Sequence, residues 1–133
     1  MKSTYLLILA LGAFSNSFAD SPNKIITEFL NNTTWYSELT SDKEYVYETS
    51  FQENTCTKTL TLYSGESVST KYTYEVLNET DANGNPILII EYTFADGVHE
   101  GKSGKFQLIE CNNDTLIMKN LRNDVDLRYF RKK

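Results

Sequence analysis

The chain has 133 residues, 40% of them hydrophobic and 13% aromatic, with a formal charge of -5. That length suits one domain, burying roughly two-thirds of its unfolded surface. No repeat or low-complexity tract points to a solenoid or a disordered arm. The acidic balance argues against nucleic acid or an anionic membrane surface as a partner, since both are polyanions.

Residues 1–19 read as a secretory signal peptide. Lys2 gives a weak positive start, Tyr5 to Phe14 an apolar stretch, and Ser17-Phe18-Ala19 a small-x-small cleavage site. The run is too short for a membrane span, which needs about 20 apolar residues, and no Cys follows it to carry a lipid, so no stable membrane anchor is expected. The expected mature chain, residues 20–133, is then secreted or periplasmic. In such a compartment two cysteines, Cys56 and Cys111, are expected to form a disulfide. Closing that loop would stabilise the fold by roughly 4 kcal/mol.

Ser21-Pro22 starts a helix, with Ser21 placed to accept from orphan N–H groups and Pro22 at the first helical position. Ile25, Ile26, Phe29 and Leu30 share one face, and Asn31 and Asn32 stop it, so a short amphipathic helix is predicted over Pro22–Leu30. Alone it would not be stable, so its apolar stripe must cover something.

Eight runs with apolar residues at every second position follow. They are predicted near Thr34–Leu39, Glu44–Phe51, Thr57–Tyr63, Ser69–Leu77, Pro86–Phe94, Gly104–Glu110, Thr115–Lys119 and Asp126–Arg131. Turns such as Ser64-Gly65, Asn83-Gly84 and Asn112-Asn113-Asp114 take positive φ cheaply. Short connections make sequential strands antiparallel neighbours. Eight of them are best closed into an up-and-down barrel, which leaves no edge; a sandwich of two four-stranded sheets is the alternative. The fold class is therefore all-β, with one helix. In a closed barrel Trp35, Arg131, both cysteines and the entering helix fall at one end, so that end should be plugged.

A Trp opening the first strand, an N-terminal helical turn, eight meandering strands and a late Arg resemble the lipocalin and calycin group, especially its short bacterial lipocalin-like members. The resemblance covers most of the mature chain. It implies that Trp35 packs at the closed end beneath Arg131, with Arg128 as the alternative. The Gly-x-Trp of the group is replaced here by Thr33-Thr34-Trp35, and no long terminal helix follows the barrel.

Chemistry-bearing residues are sparse. The single histidine, His99, lies in the Gly-rich connection Asp96 to Ser103 and lacks the local spacing of a zinc ligand. Asp81-Ala82-Asn83-Gly84-Asn85 begins like a calcium loop but has Pro86 where that loop needs Gly. Asn31, Asn32, Asn78 and Asn113 open Asn-x-Thr sequons. Glu38, Glu48, Glu75 and Glu91 fall on outward faces, so no acid/base dyad stands out. Neither catalysis nor a cofactor or metal is expected. The basic residues Arg128, Arg131, Lys132 and Lys133 read as a solvated tail.

Aromatic residues are the remaining signal. Parity turns Tyr45, Tyr47, Tyr72, Tyr74, Tyr92 and Tyr129 inward, and a buried Tyr hydroxyl needs a partner. They either fill the core or line a pocket for one small ligand. A pocket would open away from the plug, near Leu39, Tyr45, Leu62, Tyr72, Tyr74, Tyr92, Phe94, Phe106, Met118 and Leu127, with the loop Asp96 to Ser103 overhanging it. The expected function is binding of a small apolar or amphipathic ligand. The alternative is a side-chain-filled barrel acting as an exported protein-binding module, of inhibitor or immunity type.

Overall fold

A computed structural model describes residues 21–37, 45–62 and 64–132, with Tyr45 and Val46 given through their backbones only. The expected signal peptide, Glu38, Leu39, Glu44, Tyr63, Lys133 and the side chain of Tyr45 lie outside the described residues.

The helix α1 spans Pro22–Leu30. Pro22 sits at its start, but Ser21 does not cap with its side chain, which instead donates to Asn23 Oδ1. The backbone carbonyl of Ser21 accepts the N–H groups of Lys24 and Ile25. At the other end Asn32 adopts a φ of 64°, which the helix cannot continue, and its N–H joins the carbonyl of Phe51. Asn31 Oδ1 accepts from the Glu53 N–H at 2.7 Å, tying the helix exit to the turn beyond the second strand.

Eight strands follow: β1 (Thr33–Ser37), β2 (Tyr45–Gln52), β3 (Thr55–Leu62), β4 (Ser67–Thr80), β5 (Pro86–Phe94), β6 (Ser103–Cys111), β7 (Thr115–Asn120) and β8 (Val125–Arg131). Each pairs antiparallel with the next, and β1 pairs with β8 through Trp35↔Arg131, Tyr36↔Phe130 and Ser37↔Tyr129. The barrel is therefore closed, and the sandwich is excluded. The longest strand, β4, runs past the sequence expectation at both ends. Its tail pairs with β5 as far as Thr80↔Pro86, where Asp81 Oδ1 accepts the Asn83 and Asn85 N–H groups at 2.9 Å each.

One β-bulge breaks the register, between Leu108 and Glu110. Strict alternation from Phe106 and Leu108 would turn Glu110 inward. The extra residue instead puts Cys111 in the interior, fully buried, and leaves Glu110 half-buried. A carboxylate is thus kept out of the core at the cost of one local irregularity.

The core is a single cluster inside the barrel. Ile26 and Leu30 of α1 join Trp35, Phe51, Tyr74, Val76, Leu88, Ile90, Phe106, Leu108, Leu116, Met118 and Tyr129. Ile89 and Ile117, on the outer face, are buried as well, apart from that cluster.

The expected disulfide is not formed: Cys56 and Cys111 are both free and both buried. The ladder gives the reason. It carries Cys56 across Tyr72 to Phe94, at the C-terminal end of β5, whereas Cys111 lies beyond the Leu108–Leu88 pair at the other end of that strand. In the other direction Cys56 leads through Phe51 to Thr33, but Cys111 leads through Leu116 and Tyr129 to Ser37. Barrel closure requires such stagger, and it sets the two thiols on different rungs. Counting only strand starts and ends ignores it.

Candidate functional site

The interior face of the barrel has a direction. On β4 the inward residues Val76 and Tyr74 are 3% and 7% exposed, Tyr72 and Thr70 are half-buried, and Val68 is 63% exposed. The same gradient runs from Cys56 to Leu62 on β3, from Phe51 to Tyr47 on β2, and from Tyr129 to Val125 on β8. Tyr47, Leu62 and Val125 end those runs 40–49% exposed, although parity turns them inward. Inward side chains become wet only where the described residues do not cover the barrel. A rim of Tyr47, Leu62, Val68 and Val125 therefore lies at one end, and fully buried Leu30, Trp35, Leu108 and Leu116 lie toward the other.

The buried end is tied by hydrogen bonds and ring contacts. Trp35 Nε1–H donates to Thr33 Oγ1 at 2.8 Å, and Thr33 Oγ1 donates to the Leu30 carbonyl. The Arg131 guanidinium stands over two rings, 5.9 Å from the Trp35 ring centre and 5.5 Å from that of Phe29. Such contacts hold a cation without a carboxylate. Asn23 Nδ2 donates to the Val76 carbonyl, fixing α1 on β4.

Between rim and floor lie rings in edge or tilted contact. Phe51 meets Tyr74 at 5.1 Å between centroids, Tyr72 meets Tyr92 at 5.3 Å, and Tyr92 meets Phe106 at 5.3 Å. Tyr72 also packs on Phe94, whose ring carries His99 at 5.4 Å. Gly104, opposite Tyr92 in the ladder, makes this possible, because a Cβ there would stand 2.6 Å from Tyr92 Cζ.

Lys58 enters this aromatic layer. Alternation along β3 places it inward between Cys56 and Leu60, opposite Thr49 on β2 and Thr70 on β4. Its Nζ lies 5.2 Å from the Phe106 ring centre and 5.9 Å from that of Tyr72. Among the described residues no carboxylate forms an ion pair with it. Burial pushes the Lys58 amine below the usual lysine range, and the neighbouring Cys56 opposes that only partly. Burial likewise raises the Cys56 thiol to about 11 and the Tyr74 hydroxyl to about 12.

Lys58, Thr49, Phe51, Cys56, Tyr72, Tyr74, Ile90, Tyr92, Phe106 and Met118 surround a partly open space of about 20 Å³ whose exposed lining is apolar. That is room for about one water-sized group. Beside it, Thr49 Oγ1 and Tyr74 Oη are buried without a hydrogen-bond partner among the described residues, and neither oxygen presents surface to the space. A wider groove of about 760 Å³ runs outside, between α1, the β2–β3 turn and β4. It is larger but open, and short polar side chains such as Asn23, Thr27 and Asn54 line it. Tyr74 borders both spaces, yet its hydroxyl is closed off from solvent and so faces neither.

The residues expected at the open end thus divide. Leu62 stands at the rim; Tyr72, Tyr92, Phe94 and Leu127 are half-buried below it; Tyr74, Phe106 and Met118 are deep. The loop after β5 is a compact turn, with Gly101 N–H donating to the Phe94 carbonyl and Lys102 N–H to that of His99. Its glycines, at φ of 81° and 85°, serve the turn rather than a hinge. Lys58, Thr49 and Gly104 were not among the expected site residues. The signal for Lys58 was available, since parity with Cys56 and Leu60 places a charge on a dry face.

Compared with known protein families, curated proteins and solved structures, the chain matches none.

Proposed function

We propose that the chain is a lipocalin-like barrel, secreted or periplasmic, that binds a small apolar or amphipathic molecule through the uncovered end. The observation that carries this reading is the graded interior: an apolar rim, an aromatic layer below it, and a small apolar-lined space within that layer. Arg131 over Trp35, with α1 beside them, supports a sealed floor of the lipocalin kind. Small-ligand sites are commonly apolar with a few placed polar groups. The space within the aromatic layer takes only one or two atoms, so the ligand body lies toward the rim. Titration with a hydrophobic fluorophore is expected to give saturable emission that Val68→Glu weakens by at least fivefold. Unsaturable emission, or binding indifferent to Val68→Glu, refutes this reading.

A second reading, an exported protein-binding module, rests on a different feature. Tyr36 and Phe130 pair across the β1–β8 seam on the outer face, 36% and 42% exposed. Paired exposed aromatics suit a protein contact. Two such residues are also common on surfaces without partners, so this reading comes second.

A further inference from the structure

Lys58 carries an amine that apolar binding leaves without a task. Register sets it on the inner face of β3, across from Thr49 and Thr70, so neither neighbour in the ladder is an acid. Its Nζ stands 5.2 Å from the Phe106 ring centre and 5.9 Å from that of Tyr72. Among the described residues no carboxylate pairs with it. A lysine kept inside a barrel for stability would carry such a partner, because a charge set among rings without one costs free energy. Lysines placed this way suit nucleophilic chemistry instead. Burial disfavours the charged form of Lys58, so more of the amine holds a free lone pair near neutral pH.

Access and competition point the same way. Lys58 is half-buried rather than sealed, and β3 leads outward from it through half-buried Leu60 to Leu62, 41% exposed at the rim. The adjacent inward nucleophile, Cys56, is 5% exposed, and burial raises its thiol to about 11, so it stays protonated near neutral pH. The rings of Tyr72 and Phe106 beside the amine favour an apolar carbon chain. Acyl transfer would need donors aimed at an oxyanion, and the space beside Lys58 presents an apolar lining. An aldehyde needs none, since the only group to leave is water.

We infer that Lys58 captures an apolar aldehyde as a reversible imine. The Nζ lone pair forms a C–N bond at the carbonyl carbon while the C=O π pair moves to oxygen. One N–H proton passes to that oxygen and gives the carbinolamine. Hydroxide then leaves with the second N–H proton as water, and a C=N bond remains. This rests on the proposed ligand-binding reading and names the substrate class and the residue that holds it.

Native protein is incubated with decanal and cyanoborohydride near neutral pH, and the decyl group fixed by reduction is located by peptide mass spectrometry. Lys71 and Lys102 are exposed and serve as internal references, because accessibility by itself would make them react first. Lys58 is expected to be alkylated at least about fivefold faster than either. Val68→Glu at the rim should slow Lys58 by about fivefold and leave both references unchanged. Decanol, which forms no imine, should protect Lys58 and displace the hydrophobic fluorophore. Alkylation of Lys58 no faster than that of Lys71 and Lys102 overturns the inference, and displacement by decanol then leaves the pocket reading intact. Selective alkylation that decanol does not slow also overturns it, since the amine would be reactive without holding an apolar substrate. No selectivity and no displacement overturn both.

Discussion

Lys58 is a residue whose presence costs stability. An inward amine over rings, without an anionic partner among the described residues, has lost hydration that two cation–π contacts only partly restore. Its lowered pKa has the same origin, so the cost is greatest below that pKa, where the amine is charged. Lys58→Met, of similar length and apolar, is therefore expected to stabilise the ligand-free barrel by about 1 kcal/mol near neutral pH. Urea denaturation would show it as a higher midpoint at unchanged slope, and a lower midpoint would mean that the ring contacts are structural. Gly104 works in the opposite sense. Gly104→Ala drives a methyl group against the Tyr92 ring and should destabilise by about 1–3 kcal/mol, because the ring is also held by Tyr72 and Phe106. The thiols give a third expectation. Cys56 and Cys111 are buried and unbonded, so a thiol reagent should find neither in native protein and two after denaturation, and reductant should not move Tm.

At the scale of elements, α1 contributes through two side chains. Ile26 and Leu30 are 1% and 0% exposed within the main cluster, while the outer face of the helix is polar. Leu30→Ala should cost about 2–5 kcal/mol, measured by chemical denaturation; a loss under about 1 kcal/mol would mean that the helix is loosely docked. This helix was legible in the sequence to the residue, because Pro22 and the Asn31-Asn32 pair punctuate an unambiguous 3.6-residue pattern. The eight strands were legible in number and order, though not in bounds, since alternation and typed turns are local signals. Stagger was not legible. It arises from closure of the whole sheet, which no single strand records, and it separates Cys56 from Cys111. The bulge at Leu108–Glu110 was hidden for a related reason: a single inserted residue flips inward and outward positions without altering composition. Of the site, the aromatic layer was readable by parity; Lys58 shares that parity, but a single charge inside an apolar period has the same local pattern as a solvated residue.

For the molecule as a whole, the buried acids set a limit in alkali. Cys56, Cys111 and Tyr74 have thiol or hydroxyl pKa values raised by burial to about 11, about 12 and about 12, from ordinary values of 9.0, 9.0 and 10.0. Between each pair of values the native state holds a proton that the unfolded chain has released. Stability is therefore full below about pH 9 and falls as pH rises through 9 to 12. Thermal unfolding should show Tm dropping steeply across that window, and Cys111→Ala should delay the drop. Closure itself underlies everything else, because the β1–β8 seam brings Arg131 to Trp35 and leaves no free edge.

The most direct test of a barrel sealed at one end and receptive at the other is a paramagnetic map. A hydrophobic nitroxide probe is added to isotope-labelled protein. Broadening should be strongest at Tyr47, Leu62, Val68 and Val125 and absent at Ile26, Leu30 and Leu116. Broadening centred on the groove beside α1, at Asn23 and Thr27, or spread evenly over the surface, would contradict the account.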